Sequence, residues 1–441
     1  MTDQLHLLVY GSIDAGVTDS LRIGVYRTPL AGFGIEVRCW DSFADDVLNG
    51  GTGSRGGAES PRGAGSGSAP GPGRATERPD AAALRDAGLT ALAWADVVLF
   101  RRWRSTHSVC TECERGFERD PELAAHARST GHRTLYADRL LRPIVELLAS
   151  HPELLGGRAV VYDTDDDVLD YPEWTGLGFA AGRERDLILR ILAMADLVTA
   201  ATPILAERLR PHTRAAVRVV RNAVDPAWYD HAPDERLAGE PRVIYHGTPV
   251  RLRDYELARP AVDAVAAAFP GLRRVWLGAA HEPRVAACMD EVRPWVDGLA
   301  AFGGALAAAR PDIGLAPLLD EPFNRAKSEL HWLEYSMAGA ATVATSFGPA
   351  GPYDVIRDGV DGLLATSRAD WERHLRRLAA SPELRRELAG NARSRVLREY
   401  TVAVRAEEWA EAFFFAASRG GRAGGARAAL QGHGSTSRPA R

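Results

Sequence analysis

The sequence predicts an α/β protein of two lobes facing each other across a cleft. Three observations carry that expectation. A pattern of short apolar strands alternating with helical segments occurs twice along the chain. A polar stretch, Asp230–Pro241, separates the two occurrences as a linker would. The 441 residues suffice for two or three cores, at roughly 100–200 residues per domain.

The first pattern opens with the apolar run Leu5–Tyr10, a loop containing Gly11 and Gly16, and a helix-compatible segment ending near Leu30. Gly34–Trp40 is the second strand, which completes a β-loop-α-β opening typical of parallel sheets. Between Gly50 and Gly73, ten of 24 residues are glycine, a composition that cannot pack a core, so residues 49–80 are expected to be a disordered insertion. Strands are expected at Asp96–Phe100, Arg158–Asp163, Asp196–Thr199 and Val217–Val220, with helices at Arg139–Ser150 and Arg183–Ala195. The first lobe is thereby bounded at residues 1–229.

The second pattern fills residues 240–400. Its strands are expected at Arg242–Tyr245, Arg274–Leu277 and Ile313–Ala316, the stretch from Ala341 to Leu364 reads as a strand-and-turn pattern, and Pro382–Tyr400 is an arginine-rich helix. A C-terminal helix over 401–417 follows. The tail from residue 418 has five arginines, several glycines and no acid, and is expected to be disordered.

Composition removes several function classes. The formal net charge of −4 lacks the basic excess of a dedicated nucleic-acid binder. Four cysteines cannot staple a secreted framework of this length. No apolar run approaches the roughly 18 residues that span a bilayer, and Met1–His6 lacks a basic n-region, so a cytoplasmic location is expected. Peripheral contact with a membrane is compatible with the same composition. One bias is informative: Lys327 is the single lysine among 54 basic residues. Either it survives by chance, or a site needs a compact ammonium on a flexible stem.

Within the first lobe the spacing Cys110-x2-Cys113-x12-His126-x5-His132 supplies four nitrogen and sulfur ligands in an order that closes a tetrahedral Zn²⁺ site. Phe117 and Leu123 fall where a ββα unit places its core. The stretch resembles a Cys2His2 zinc finger and predicts a structural zinc over 108–133. The helix positions that would face base edges, Arg119, Glu122 and Ala125, form a weak reading set. Docking of a protein partner is therefore favoured over nucleic acid.

The chemistry concentrates in the second lobe. In Phe323–Gly339 the lone Lys327 stands beside Ser328 at the expected start of a helix. Backbone N–H groups, an ammonium and a hydroxyl converging at one point suit a diphosphate. Glu334, seven residues on and about two turns along the same face, is placed to accept from a ribose diol. This stretch resembles the donor-binding segment of GT-B glycosyltransferases of the large retaining family with a Glu-x7-Glu signature. Aligning its second Glu with Glu334 puts Ala326 at the first, while Asn324, Lys327 and Ser328 match the Asn-x-x-Lys-Ser form of some branches. The run His246–Asp254, containing Thr248, Arg251 and Arg253, is similar to that family's loop after the first strand of the donor lobe.

The resemblance implies two Rossmann-like lobes in the GT-B arrangement and transfer of a sugar from a nucleotide-diphosphate sugar to a glycan, lipid-linked or small-molecule acceptor. It implies retention of configuration and no catalytic metal. Lys327 and Arg253 would carry the leaving-group charge; Thr248, Arg251, Asn324, Ser328 and Glu334 would hold the donor, with Arg22 reaching across from the first lobe. Asp165 and Asp166, beyond the strand ending at Asp163, are either acceptor-polarising carboxylates or a solvated acidic turn. The competing class is a degenerate scaffold of the same shape, docked through its finger to protein or nucleic acid.

Overall fold

The computed structural model describes residues 4–10, 22–39, 89–101, 142–170, 172, 178–229, 241–247, 251–278, 287–294, 296, 298–349 and 351–420. The predicted finger with Cys110, Cys113, His126 and His132, the glycine-rich insertion, Thr248, most of the linker and the tail beyond 420 lie outside them.

Two parallel six-stranded sheets form the two lobes. In the first, β1 (Leu5–Tyr10), β2 (Ile35–Cys39), β3 (Val97–Arg101), β4 (Ala159–Thr164), β5 (Leu197–Ala200) and β6 (Ala216–Val219) stand in the order β2-β1-β3-β4-β5-β6. Strands β3, β4 and β5 are buried along their whole length, as expected where helices cover both faces. In the second, β7 (Arg242–Gly247), β8 (Arg273–Gly278), β9 (Glu291–Arg293), β10 (Ile313–Ala316), β11 (Ala341–Thr345) and β12 (Leu363–Ala365) stand as β12-β11-β10-β7-β8-β9. The first strand of this sheet is central and the order reverses between β7 and β10. Ligands of such sheets bind beyond the carboxyl ends of the strands at that switch point. Sequence reading located most strands within a residue or two, did not separate β11 and β12 within one strand-and-turn stretch, and did not find the three-residue β9.

Helices α1 (Arg27–Ala31), α2 (Arg142–Ser150), α3 (Gly178–Met194) and α4 (Pro203–Leu209) belong to the first lobe. The second carries α5 (Leu252–Ala268), α6 (Leu299–Ala308), α7 (Pro322–Arg325), α8 (Leu330–Met337), α9 (Arg368–Ala380) and α10 (Pro382–Glu399). Helix α8 lies tight on its sheet because Gly314 of β10 has no side chain: a Cβ there would come within 2.3 Å of the Tyr335 ring.

The last helix, α11 (Val402–Arg419), returns to the first lobe. Its Val402, Ala406, Trp409, Phe413 and Ala416 share a core with Leu7, Val9, Leu99 and Val161. The chain thus crosses between lobes at Val224 and again at Tyr400–Val402. The crossings are bonded together, with the Val224 amide donating to Tyr400 O at 3.0 Å and the Val402 amide to Val224 O at 3.0 Å. No helix among the described residues is long and apolar enough to cross a membrane.

Candidate active site at the interlobe cleft

The predicted donor motif occupies a break between two helices. Pro322 starts α7, Ala326 caps it, and Glu329 stands at the N-terminus of α8. Lys327 and Ser328 therefore lie just before a helix start, as expected, but outside the helix that carries Glu334. The expected shared face of Lys327 and Glu334 is not formed, because the helix is interrupted between Arg325 and Leu330.

Four consecutive residues of this break are bonded to the first lobe. Thr202, which caps α4 by accepting from the Leu205 amide, donates its hydroxyl to Ala326 O at 3.0 Å. The Lys327 ammonium donates to Asp166 Oδ1. Asn222 Nδ2 donates to Ser328 Oγ at 2.8 Å, and Arg221 donates to Glu329 Oε2 at 3.2 Å. Asp166 follows β4 at its carboxyl end, so the acidic loop comes to the cleft as the sheet topology requires. It meets Lys327 itself rather than standing opposite it. Asp165 is half-buried beside it. The neighbouring Asp167 is tied to Arg208, and burial nevertheless holds its carboxyl above the usual range.

Arg251, one residue before α5, donates to Asp254 Oδ2 at 3.1 Å and to Asn324 Oδ1 at 3.3 Å. Burial alone would lower its pKa, but Asp254 and Asp166 reverse the balance and raise it. Asn324 is completely buried: its amide donates to Asp254 Oδ1 at 2.9 Å and to Leu319 O at 3.0 Å. It joins the exit of β10 to the start of α5 and orients Arg251, instead of facing a ligand. Arg253 sits on the rim, 47% exposed, paired with Glu321 at 3.1 Å.

Arg22 is not brought to the cleft. All three of its guanidinium nitrogens are engaged inside the first lobe, with both oxygens of Asp163, with Val220 O and with Asn222 Oδ1. Its guanidinium also lies 4.8 Å from the centre of the Trp409 ring. Packing dictates this: helix α11 covers that face and leaves Arg22 no exposure. Arg22 reaches the donor motif only indirectly, through Asn222, which bonds both Arg22 and Ser328.

Glu334 is 4% exposed and turns its Oε2 toward His246 Nε2, 3.2 Å away at the end of β7. His331 packs on His246 with ring centres 4.2 Å apart. Its pKa lies well below the ordinary histidine value, first through burial and then through His246, Arg251 and Lys327, so the ring is neutral. Sequence reading did not select Thr202, Arg221, Asn222, Asp254, His246, Glu329 or His331. The run Arg221–Asp225 and the loop His246–Asp254 mark most of these, but which of them meet Lys327 is settled only by the approach of the two lobes.

The model of a family described as glycosyl transferase-like matches residues 259–411, most of the second lobe. The second lobe is therefore similar to that of a glycosyltransferase. Among solved structures, HepE of Anabaena in complex with UDP-glucose superposes with a TM-score of 0.54 at 14% identity, covering 92% of this chain and 99% of that one. Sucrose-phosphate synthase from Thermosynechococcus elongatus gives 0.53 at 14%, covering 92% and 98%. A glycosyltransferase from Rickettsia africae gives 0.51 at 10%, covering 94% and 99%. These likenesses show the two-lobe GT-B-like fold. No curated protein sequence matches the chain.

Proposed function

We propose that the enzyme moves a sugar from a nucleotide-diphosphate sugar to a hydroxyl of a glycan, lipid-linked or small-molecule acceptor, with a UDP-sugar as the first donor to test. The observation that carries this reading is the single lysine, held with Ser328 before α8 beside the switch point of the second sheet and beside Arg251. In the reaction the bond from the anomeric carbon to the β-phosphate oxygen breaks and a bond to the acceptor oxygen forms. Negative charge grows on the diphosphate as it leaves, and Lys327 and Arg251 are fixed cations beside it. Glu334 accepts from the ribose. Arg253, on the rim, steers the donor inward more than it holds it.

The pair Lys327–Asp166 gives the cleft an exchange. A diphosphate takes the ammonium from Asp166, and the released carboxylate becomes available to the acceptor hydroxyl as a hydrogen-bond acceptor or base. Asp165 lies beside it on the same loop. Retention of configuration rests on the resemblance of the donor motif. The diphosphate charge is met by side-chain cations, so the reading requires no catalytic metal, and transfer is expected to survive brief EDTA treatment. The zinc finger at Cys110, Cys113, His126 and His132 remains a proposal for a structural metal and a protein-docking insert. A cytoplasmic location remains part of the same reading.

The test is a thermal-shift screen of nucleotide sugars, followed by a transfer assay with the donor that binds. A donor at 100 times its Kd adds about 2.7 kcal/mol to the folded state. A cooperative shift with one nucleotide sugar, and its consumption with an acceptor, supports the reading. Absence of any shift across the common nucleotide sugars would favour the inactive docking scaffold.

A further inference from the structure

Behind the cation-lined break, the end of β7 and the first turns of α8 place two histidines and a glutamate around one point. His331 and Glu334 are three apart on α8 and share a face, which they turn toward His246. One ring nitrogen each of His246 and His331 and a Glu334 oxygen all lie within 4.8 Å of one another. His246 and Glu334 are each 4% exposed. His246 Nε2, His331 Nδ1 and Glu334 Oε2 are buried atoms that make no hydrogen bond. Three unsatisfied polar atoms meeting in one buried place call for a shared partner, because each costs about 1–3 kcal/mol if left unmade.

We infer that His246, His331 and Glu334 form a binding site for one divalent transition metal of the zinc type. Two imidazoles and a carboxylate suit such an ion, and three protein ligands leave a fourth position open. Ligand atoms about 2.0–2.1 Å from a tetrahedral zinc stand roughly 3.3 Å apart. His246 Nε2 and Glu334 Oε2 already stand 3.2 Å apart, so only His331 has to move inward. The two nearby cations do not forbid the ion, since Arg251 is paired with Asp254 and Lys327 with Asp166. Glu334 has a second oxygen for the proposed ribose contact. The site itself does not depend on the donor reading.

The experiment uses the full chain carrying Cys110→Ser and Cys113→Ser, which removes the thiolates of the predicted finger. After metal stripping, Zn²⁺ binding is measured by equilibrium dialysis, and Co²⁺ is then added as a spectroscopic probe. One tight equivalent of Zn²⁺ and cobalt d–d bands without a thiolate charge-transfer band are expected. His331→Ala should weaken binding at least about tenfold, and Glu334→Gln, which keeps the side chain's size, should do the same with an unchanged far-UV circular dichroism spectrum. No tight equivalent in the chain carrying Cys110→Ser and Cys113→Ser overturns the inference. So does an affinity that is unchanged in folded His331→Ala and Glu334→Gln.

Discussion

Asp163 and Asp166 stand three residues apart at the end of one strand, and each is paired with a basic side chain. Arg22 grips both oxygens of Asp163 inside the first lobe, where neither side chain has more than 1% exposure. Lys327 reaches Asp166 from the other lobe, with 13% and 6% exposed. The first pair is further fixed by Thr199, which donates to Asp163 at 2.7 Å, and by Arg101 3.6 Å away. No ligand can enter it. The second pair spans the cleft, and in the proposed reaction a donor diphosphate exchanges for it. On that reading the same residue chemistry serves architecture in one place and function in the other, and burial decides which.

Breaking the inner pair should give the largest effect. Arg22→Met leaves a carboxylate buried without its bidentate partner, which costs about 3–5 kcal/mol. Chemical denaturation is expected to show a much lower midpoint, while donor affinity of the folded fraction stays within about twofold, because no donor contact is lost. A large loss of donor affinity at unchanged stability would move Arg22 back into the binding site.

Breaking the outer pair from the lysine side should act on the reaction. Lys327→Ala is expected to lower kcat by about 10²–10³-fold, equivalent to roughly 2–4 kcal/mol in the barrier. The protein should remain folded. Activity within about threefold of the parent would show that the lone lysine is incidental.

Breaking it from the acid side sharpens the contrast. Asp166→Asn removes the carboxylate that competes with the diphosphate for Lys327, so the donor should bind about fivefold tighter, near 1 kcal/mol. Transfer should fall at the same time, because the acceptor loses its partner. Isothermal titration with the donor, beside a transfer assay, separates the two outcomes. Unchanged donor affinity would mean that the donor does not use this ammonium.

The contrast also shows what was legible in advance. Strands were found because parallel sheets write them as short apolar runs, and the lone lysine was visible as a break in an arginine-only habit. The helix interruption between Arg325 and Leu330 was not visible, since Ala326–Glu329 contains neither proline nor glycine. The fate of Arg22 was unreadable for another reason. Its partners Asp163 and Val220 lie 141 and 198 residues away, and the helix that buries it comes from the far end of the chain. Asn324 was matched as part of a motif, but only packing shows that its amide is spent on Asp254 and Leu319. Local patterns revealed residue types; through-space pairing assigned their duties.

Glu329 extends the comparison to a third pair, the second of them between the lobes, where the expected effect is smallest. Its side chain is fully buried, Oε2 accepts from Arg221 at 3.2 Å, and Oε1 makes no hydrogen bond. Burial raises its pKa above 4.5 and Arg221 only partly offsets this. The sign of the pH dependence follows. Below the unfolded value both states hold the proton and the site is neutral to stability. As pH rises past about 4.5, the unfolded chain releases its proton first, so native stability from this site declines until the folded group also ionises. Glu329→Gln removes that dependence while giving up the ion pair with Arg221. The variant should therefore gain on the parent as pH rises above about 4.5, read as the difference in denaturation midpoints at each pH. Parallel curves across that range would show that Arg221 fully compensates the buried carboxylate, making this pair resemble the exchangeable one at Lys327 rather than a cost carried by the lobe contact.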